Sequence, residues 1–374
     1  MVSVIEVKTK KQQKQFLEFP LKLYRDNPNF VPPLYGDEKK IFRSDFVYHD
    51  TCETGYWLAE RDGQTVGRIS AILQRASNEK HGEKRVRFDR FDAIDDPEVA
   101  HALFDAVEQF ARDRGMNAIC GPLGFSDLER EGLLVVGFDQ LSTFEEQYNA
   151  DYYGALIEGC GYQKEVDWVE SKLYAPEKET AEKLHKLSDQ LLKKFNLHVG
   201  EAKNTNEYLE KYKDGLFDLL DVAYEDIYGT VPFTEGMKKM MIDNFRLIID
   251  LKHVVCLLDE NGKVVCFGIC FPSIAKAVQK SQGHLTPAAL VRLLKAIKNP
   301  KIIDLGLIAV APEYQNTGII AIIAAALADM LLEDGVEYAE TNLNLEDNLQ
   351  IRNVWKRFHA VQHKRRRSYL KELN

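Results

Sequence analysis

Apolar and polar positions change period along this chain, and each change marks an element. Residues 301–310 (KIIDLGLIAV) are short, apolar and rich in β-branched side chains, the pattern of a buried strand. Pro312, which has no N–H to give a sheet ladder, ends that pattern. Residues 315–318 (QNTG) then lead into a helical pattern with apolar positions at Ile319, Ile320, Ile323, Leu327, Met330 and Leu331, and Gly335 closes it. Residues 337–345 alternate as a strand. Tyr338, Glu340, Asn342 and Asn344 share one face; Ala339, Thr341, Leu343 and Leu345 share the other. Asp347-Asn348 is a cap signal for a helix over 349–359.

The first half carries a similar order. The pattern predicts a strand over 2–8, a helix over 11–24, a Pro-rich irregular piece, and a hairpin of 56–60 with 65–74 about Asp62-Gly63. A strand over 85–93 precedes a helix that opens at Pro97 and ends at Gly115. A short strand at 118–120, a long loop over 132–139, a helix over 149–158 and a strand over 166–174 follow. Residues 176–195 read as an amphipathic linker helix. The second half then predicts a strand at 198–202, helices over 208–226 and 235–249, and a hairpin of 253–258 with 264–271. The expected fold is α/β with mixed sheets, in two domains, 1–175 and 176–374, with a linker helix at 176–196.

Composition supports a globular reading: 374 residues exceed what one core usually supports, with 45% hydrophobic and 29% charged residues. No apolar run reaches membrane-spanning length, and residues 1–14 lack the apolar segment of a secretory signal. Six scattered cysteines without a CxxC pair predict a reduced, cytoplasmic setting. The net charge of −9 argues against nucleic acid as the main partner. The basic run 364–367 reads as a solvated strand edge. His359 and His363 lack a third ligand, so no metal site is expected.

A strand feeding a helix through a glycine turn gathers free N–H groups and the positive end of the helix dipole at one point, which suits a phosphate. The candidate anion cradle is built by residues 302–332, with Gln315, Asn316, Thr317, Gly318, Ile319 and Ile320 at its turn. The matching turn of the first half, Ala93-Ile94-Asp95-Asp96, puts two carboxylates where an anion would sit, so that half is a poor anion binder.

V-A-P-E-Y-Q-N-T-G-I-I resembles the acyl-CoA loop of the GNAT superfamily of N-acyltransferases, Q/R-x-x-G-x-G/A. Gln315 and Gly318 match, whereas Ile320 stands where Gly or Ala is usual. Asn348-x6-Trp355-x2-Phe358 resembles the superfamily's N-x6-Y-x2-F segment, with Trp355 in place of the tyrosine that protonates the departing thiolate. G-P-L-G-F-S, G-L-L-V-V-G-F-D and Y-N-A-D-Y-Y resemble a bacterial branch with two tandem GNAT-like domains. The resemblance implies acetyl-CoA or another acyl-CoA as co-substrate, a backbone N–H near Val310 as oxyanion donor, and an acceptor covered by the loop between the first two helices, hence Glu225 and Tyr228.

Acyl transfer to an amine needs a base. Glu340 is the candidate, Asp304 its rival, with Asn342 and Asn344 orienting the acceptor; a plain solvated strand face is the competing reading of Glu340, Asn342 and Asn344. The expected function is acyl-CoA-dependent acyl transfer to a small-molecule or peptide amine. Two alternatives stand beside it: a degenerate GNAT-like binding protein, and a Fem-like transferase using aminoacyl-tRNA or an acyl carrier protein.

Overall fold

The local signals act where the pattern puts them. Thr9 and Gln12 form a capping box at the start of helix α1 (Lys10–Leu23), and Asp96 caps α4 (Pro97–Arg112), which has proline in its first turn. In the computed structural model, which describes residues 1–246 and 248–373, the first half also holds β1 (Ser3–Glu6), α2 (Tyr35–Glu38), β2 (Cys52–Arg61), β3 (Gln64–Gln74), α3 (Arg75–His81), β4 (Arg85–Ala93), β5 (Ala118–Gly121), β6 (Leu133–Val136), α5 (Tyr153–Gly159) and β7 (Gln163–Tyr174). The second half holds α6 (Lys178–Lys194), β8 (His198–Val199), α7 (Thr205–Ala223), α8 (Glu235–Phe245), β9 (Val254–Leu258), β10 (Val264–Pro272), α9 (Ala275–Lys280), α10 (Pro287–Lys298), β11 (Ile302–Val310), α11 (Ile320–Leu332), β12 (Tyr338–Glu340), β13 (Asn344–Leu345), α12 (Leu349–Trp355) and β14 (His359–Glu372).

All strands join one 14-stranded mixed sheet in the order β1-β2-β3-β4-β5-β14-β7-β12-β11-β10-β9-β8, with β13 paired to β7 and β6 to β14. Each half lays down five strands in series, with its fourth and fifth parallel: β4 with β5, and β11 with β12. The closing strands are exchanged. β7, from the first half, pairs with β12 of the second; β14, from the second, pairs with β5 of the first. β7 and β14 then pair antiparallel along most of their length, His359 opposite Tyr174 at one end and Leu370 opposite Gln163 at the other. The two halves are therefore alike in element order but joined through each other's last strand.

Several expectations change. The predicted linker helix is α6, whose Ala181 and Leu184 are buried in one cluster with Ala324, Leu327 and Ala328 of α11. Part of the loop over 132–139 is β6, recruited by β14. The strand over 337–345 is two pieces, β12 and β13, separated by Thr341–Leu343. Residues 273–300, outside the predicted elements, form α9 and α10.

The basic run 364–367 does not lie on a solvated edge. β14 is an interior strand, so Lys364 and Arg366 are 1% and 0% exposed. Burying such charges is costly unless they are paired, and here they are. Arg366 Nε lies 2.7 Å from Glu170, and Lys364 pairs with Glu340 and, at 3.5 Å, with Glu170. On the opposite face Arg365 and Arg367 converge on Asp167 at 2.7 and 2.8 Å.

Candidate active site

β11 and β12 pair only from Ile302 and Tyr338 to Asp304 and Glu340, then separate. On its other edge β11 carries a bulge: Leu305 faces Cys270 and Leu307 faces Ile269, which leaves Gly306 unopposed. A Cβ at Gly306 would lie 2.5 Å from the Phe271 ring and 3.0 Å from the Ile269 carbonyl, so a side chain there would push the ring aside. Beyond the bulge the Ala311 N–H donates to Val265. By the alternation of the ladder, Ile308 and Val310 turn their backbone groups away from β10 and into the gap. The Tyr224 hydroxyl donates to the Ile308 carbonyl at 3.0 Å.

The cradle follows at once. A single-turn 3₁₀ helix over Pro312–Tyr314 ends β11, Asn316 and Gly318 take left-handed φ of 61° and 89°, and α11 begins at Ile320 without a side-chain cap. Among the described residues no acceptor meets the N–H groups of Asn316, Gly318, Ile319 or Ile320. The Gly318 Cβ position faces open space. Ile320, where the motif has a small residue, rests against the cluster shared by α6, α11 and α12. The corresponding turn of the first half is closed by its own acid: Asp96 accepts from the Glu98 N–H and pairs with Arg61 at 2.7 Å.

The gap opens on a cavity of about 340 Å³, whose lining takes Gln315 and Ile320 from the cradle but not Asn316, Thr317, Gly318 or Ile319. One wall is β11 from Gly306 to Val310, with Gln315 and Ile320; another is Asn342–Leu345 with Asn348. α7 and α8 supply a greasy wall, including Leu216, Phe217, Leu220 and Met241. The remaining wall comes from the first half and is acidic: Asp127, Glu129, Glu131, Glu145 and Glu146.

Those carboxyls are far from ordinary. Glu131 and Glu146 are 5% and 3% exposed, and one oxygen of each has no hydrogen-bond partner. Burial, then the neighbouring Asp127 and Glu146, holds the Glu131 carboxyl well above the usual range. Burial raises Glu146 to about 8 despite Arg366, Glu129 and Glu145 each to about 7, and Asp127 to about 6.

The residues singled out in the sequence divide into those at the cavity and those away from it. Val310, Gln315, Ile320, Asn342, Asn344 and Asn348 line it. Asn344 accepts from the Trp355 indole at 2.9 Å, and Asn348 caps α12. Asn342 accepts from the next N–H, of Leu343. Glu340 and Asp304 sit side by side on neighbouring strands and are both 5% exposed, not on a solvated face. Burial alone would raise Glu340, but Lys364 and His363 (2.8 Å) outweigh it and hold the carboxylate at about 2. A carboxylate locked so low is a poor proton acceptor. Asp304 is pushed the other way, first by burial and then by Glu340, and one of its oxygens is unpartnered. Tyr228 is elsewhere: its hydroxyl bonds Glu165 at 2.5 Å and Ser368 at 3.1 Å, and it lines a separate cavity of about 450 Å³ between the halves. Glu225 is exposed and lines neither cavity.

The acidic wall was not singled out from the sequence. Its signal was weak: Asp127, Glu129 and Glu131 alternate with Leu128 and Arg130, which by pattern alone describes a solvated segment.

A tandem GNAT protein from the clavulanic acid biosynthesis pathway superposes on 100% of this chain and 98% of its own, with a TM-score of 0.55 and 13% identity. The chain has the tandem GNAT fold. A GCN5-related N-acetyltransferase from Sphaerobacter thermophilus gives a TM-score of 0.51 at 11% identity, over 99% of this chain and 95% of its own. In sequence the chain is similar to Protein YghO of Escherichia coli K12, 29% identical over 370 residues, which are 97% of this chain and 94% of that protein. It is also similar to a protein of Caulobacter vibrioides named bacterial ceramide synthase, 27% identical over 383 residues, 100% of this chain and 98% of that one. No family model matches. Among the described residues no helix is long and apolar enough to cross a membrane.

Proposed function

We propose that this protein is an acyl-CoA-dependent N-acyltransferase whose acceptor is a long-chain amine. The observation that carries the reading is one cavity walled on one side by buried carboxylates with unpartnered oxygens and on another by Gln315 and Ile320, which flank the uncapped glycine turn. The turn suits a pyrophosphate; buried acids suit an ammonium group; the walls of α7 and α8 suit an alkyl chain. The name of the Caulobacter relative points the same way, since a ceramide is the amide of a long-chain amino alcohol.

In this reading the N–H groups of Asn316, Gly318, Ile319 and Ile320 hold the pyrophosphate, with Gln315 and Asn348 beside it. Bound acyl-CoA would supply an activated thioester. Glu129, Glu131 and Glu145 line the acceptor end, where an arriving ammonium group favours their ionised forms, and Glu146 takes its ammonium proton, which frees the nitrogen to form the C–N bond as the C–S bond breaks. The Val310 N–H faces the gap as an oxyanion donor. Tyr224 is the one tyrosine lining the cavity among the described residues. Its hydroxyl supplies the thiolate's proton, which the Trp355 indole cannot, and is restored by the second proton that the nitrogen sheds as the amide forms. Glu340, kept ionised by Lys364, holds β12 and β14 together and takes no proton.

Calorimetric titration of the purified chain with CoA, acetyl-CoA and a long-chain acyl-CoA tests the reading. Micromolar binding that Gly318→Trp abolishes is expected, followed by amide formation on a long-chain amine. Folded protein that binds none of the three sinks it.

A further inference from the structure

Helix α10 is apolar on both sides. Its inner stripe, Ala289, Leu293 and Ile297, faces the protein, with Leu293 and Ile297 packed against the cluster of Val31, Ile274, Ala275 and Val278. Its outer stripe has nothing to pack on: Leu290, Val291 and Leu294 are 47%, 67% and 66% exposed, and Leu285 just before the helix is 54% exposed. A helix apolar on two sides ordinarily covers both, so the outer stripe is a face without its cover.

Charge identifies the cover. The chain carries a net charge of −9, yet residues 273–303 contain six Lys or Arg and no Asp or Glu. Lys276, Lys280, Lys295 and Lys298 are exposed, and among the described residues none is ion-paired. Exposed leucine and valine bordered by unpaired lysine is the composition of a helix that lies in the headgroup layer of a bilayer. We propose that α10, with α9 beside it, docks this protein onto an anionic lipid surface.

The interior continues the idea. A second cavity, of about 280 Å³, is lined by Phe30, Leu34, Phe144, Ile248 and Ile274, four of which also belong to the cluster under α10. It shares Leu128, Glu129, Glu145 and Met241 with the candidate active site. Charged side chains, among them Asp37, Glu38, Arg90 and Arg130, line the rest of it, so the path from the cluster under α10 to the acidic wall is apolar at its outer end only.

The surface argument stands apart from acyl transfer, so its test uses no acyl donor. The full chain is sedimented with vesicles of phosphatidylcholine alone and of phosphatidylcholine mixed with phosphatidylglycerol. It is expected to pellet with the mixed vesicles only, and added salt is expected to release it. The outward-facing variant L290S/V291S/L294S should lower partition at least roughly tenfold, and K295Q/K298Q roughly thirtyfold. Wild-type protein that stays in the supernatant with both vesicles overturns the proposal, as do variants that pellet like wild type. A dimer in solution that the triple-serine variant converts to monomer also overturns it, because the cover is then a second copy of the chain.

Discussion

Glu146 and Glu340 are both buried glutamates, yet they titrate in opposite directions because of what faces each. Glu340 has Lys364 and His363 against it; Glu146 has Arg366 only at 3.8 Å, and other acids around it. A base must lose its proton to work, so with Glu146 raised to about 8, kcat/KM should climb with pH through that value and level off above it. Glu146→Gln should lower kcat by roughly 10²–10⁴-fold while leaving the Kd for acyl-CoA unchanged. Loss of acyl-CoA binding in step with activity would instead give Glu146 a place in the CoA site. A raised carboxyl also has a stability signature. The folded state binds its proton more tightly than the unfolded chain, so stability falls as pH rises from the unfolded value, about 4.3, to the folded one. Glu131→Gln should therefore raise Tm near neutral pH, which differential scanning calorimetry reads directly.

At the scale of elements, β14 shows what pattern can and cannot tell. Its basic run was legible as part of a strand, but its partners Glu170, Glu340 and Asp167 are remote in sequence, and only the exchanged pairing brings them close. Removing Lys364 takes the buried ammonium from both Glu340, which among the described residues keeps only His363, and Glu170, which keeps only Arg366, so Lys364→Met should cost about 3–5 kcal/mol in chemical denaturation. The same ion pairs set the acid limit. Glu340 and Asp167 are both held at about 2 because their cationic partners outweigh burial, so they add stability that is complete above the unfolded values near 4 and is lost as pH falls towards 2. Unfolding followed by circular dichroism should show that loss. By contrast, the strand, glycine turn and helix of the cradle were readable in full, because Pro312, Gly318 and the apolar helix period act locally. The acidic wall was not, because a loop's burial is decided by the other half of the molecule.

At the scale of the whole molecule, repetition of element order was visible and exchange of the closing strands was not, since pairing partners leave no periodic trace. The exchange makes residue 175 a division of sequence only. Residues 1–175 alone end on an uncovered β5 edge with β7 unpaired, and residues 176–374 lack β7 altogether. Each piece expressed alone should therefore lose the cooperative melt of the full chain, and mixing the two should restore it. Two separate transitions in the intact chain would show that the halves stand independently. In the proposed reaction it also divides the labour, because the glycine turn belongs to one half and the acids to the other.

That exchange has a consequence in time. Chains often fold from the N-terminus while they are still being made. Here β14, which fills the middle of the sheet, follows every other strand in the chain. Until it is made, β5 presents a bare interior edge and Glu170 a buried charge without its arginine. The first half is thus a waiting template, finished only when the second half has been translated, and any pause late in synthesis leaves it most open to pairing with the wrong neighbour.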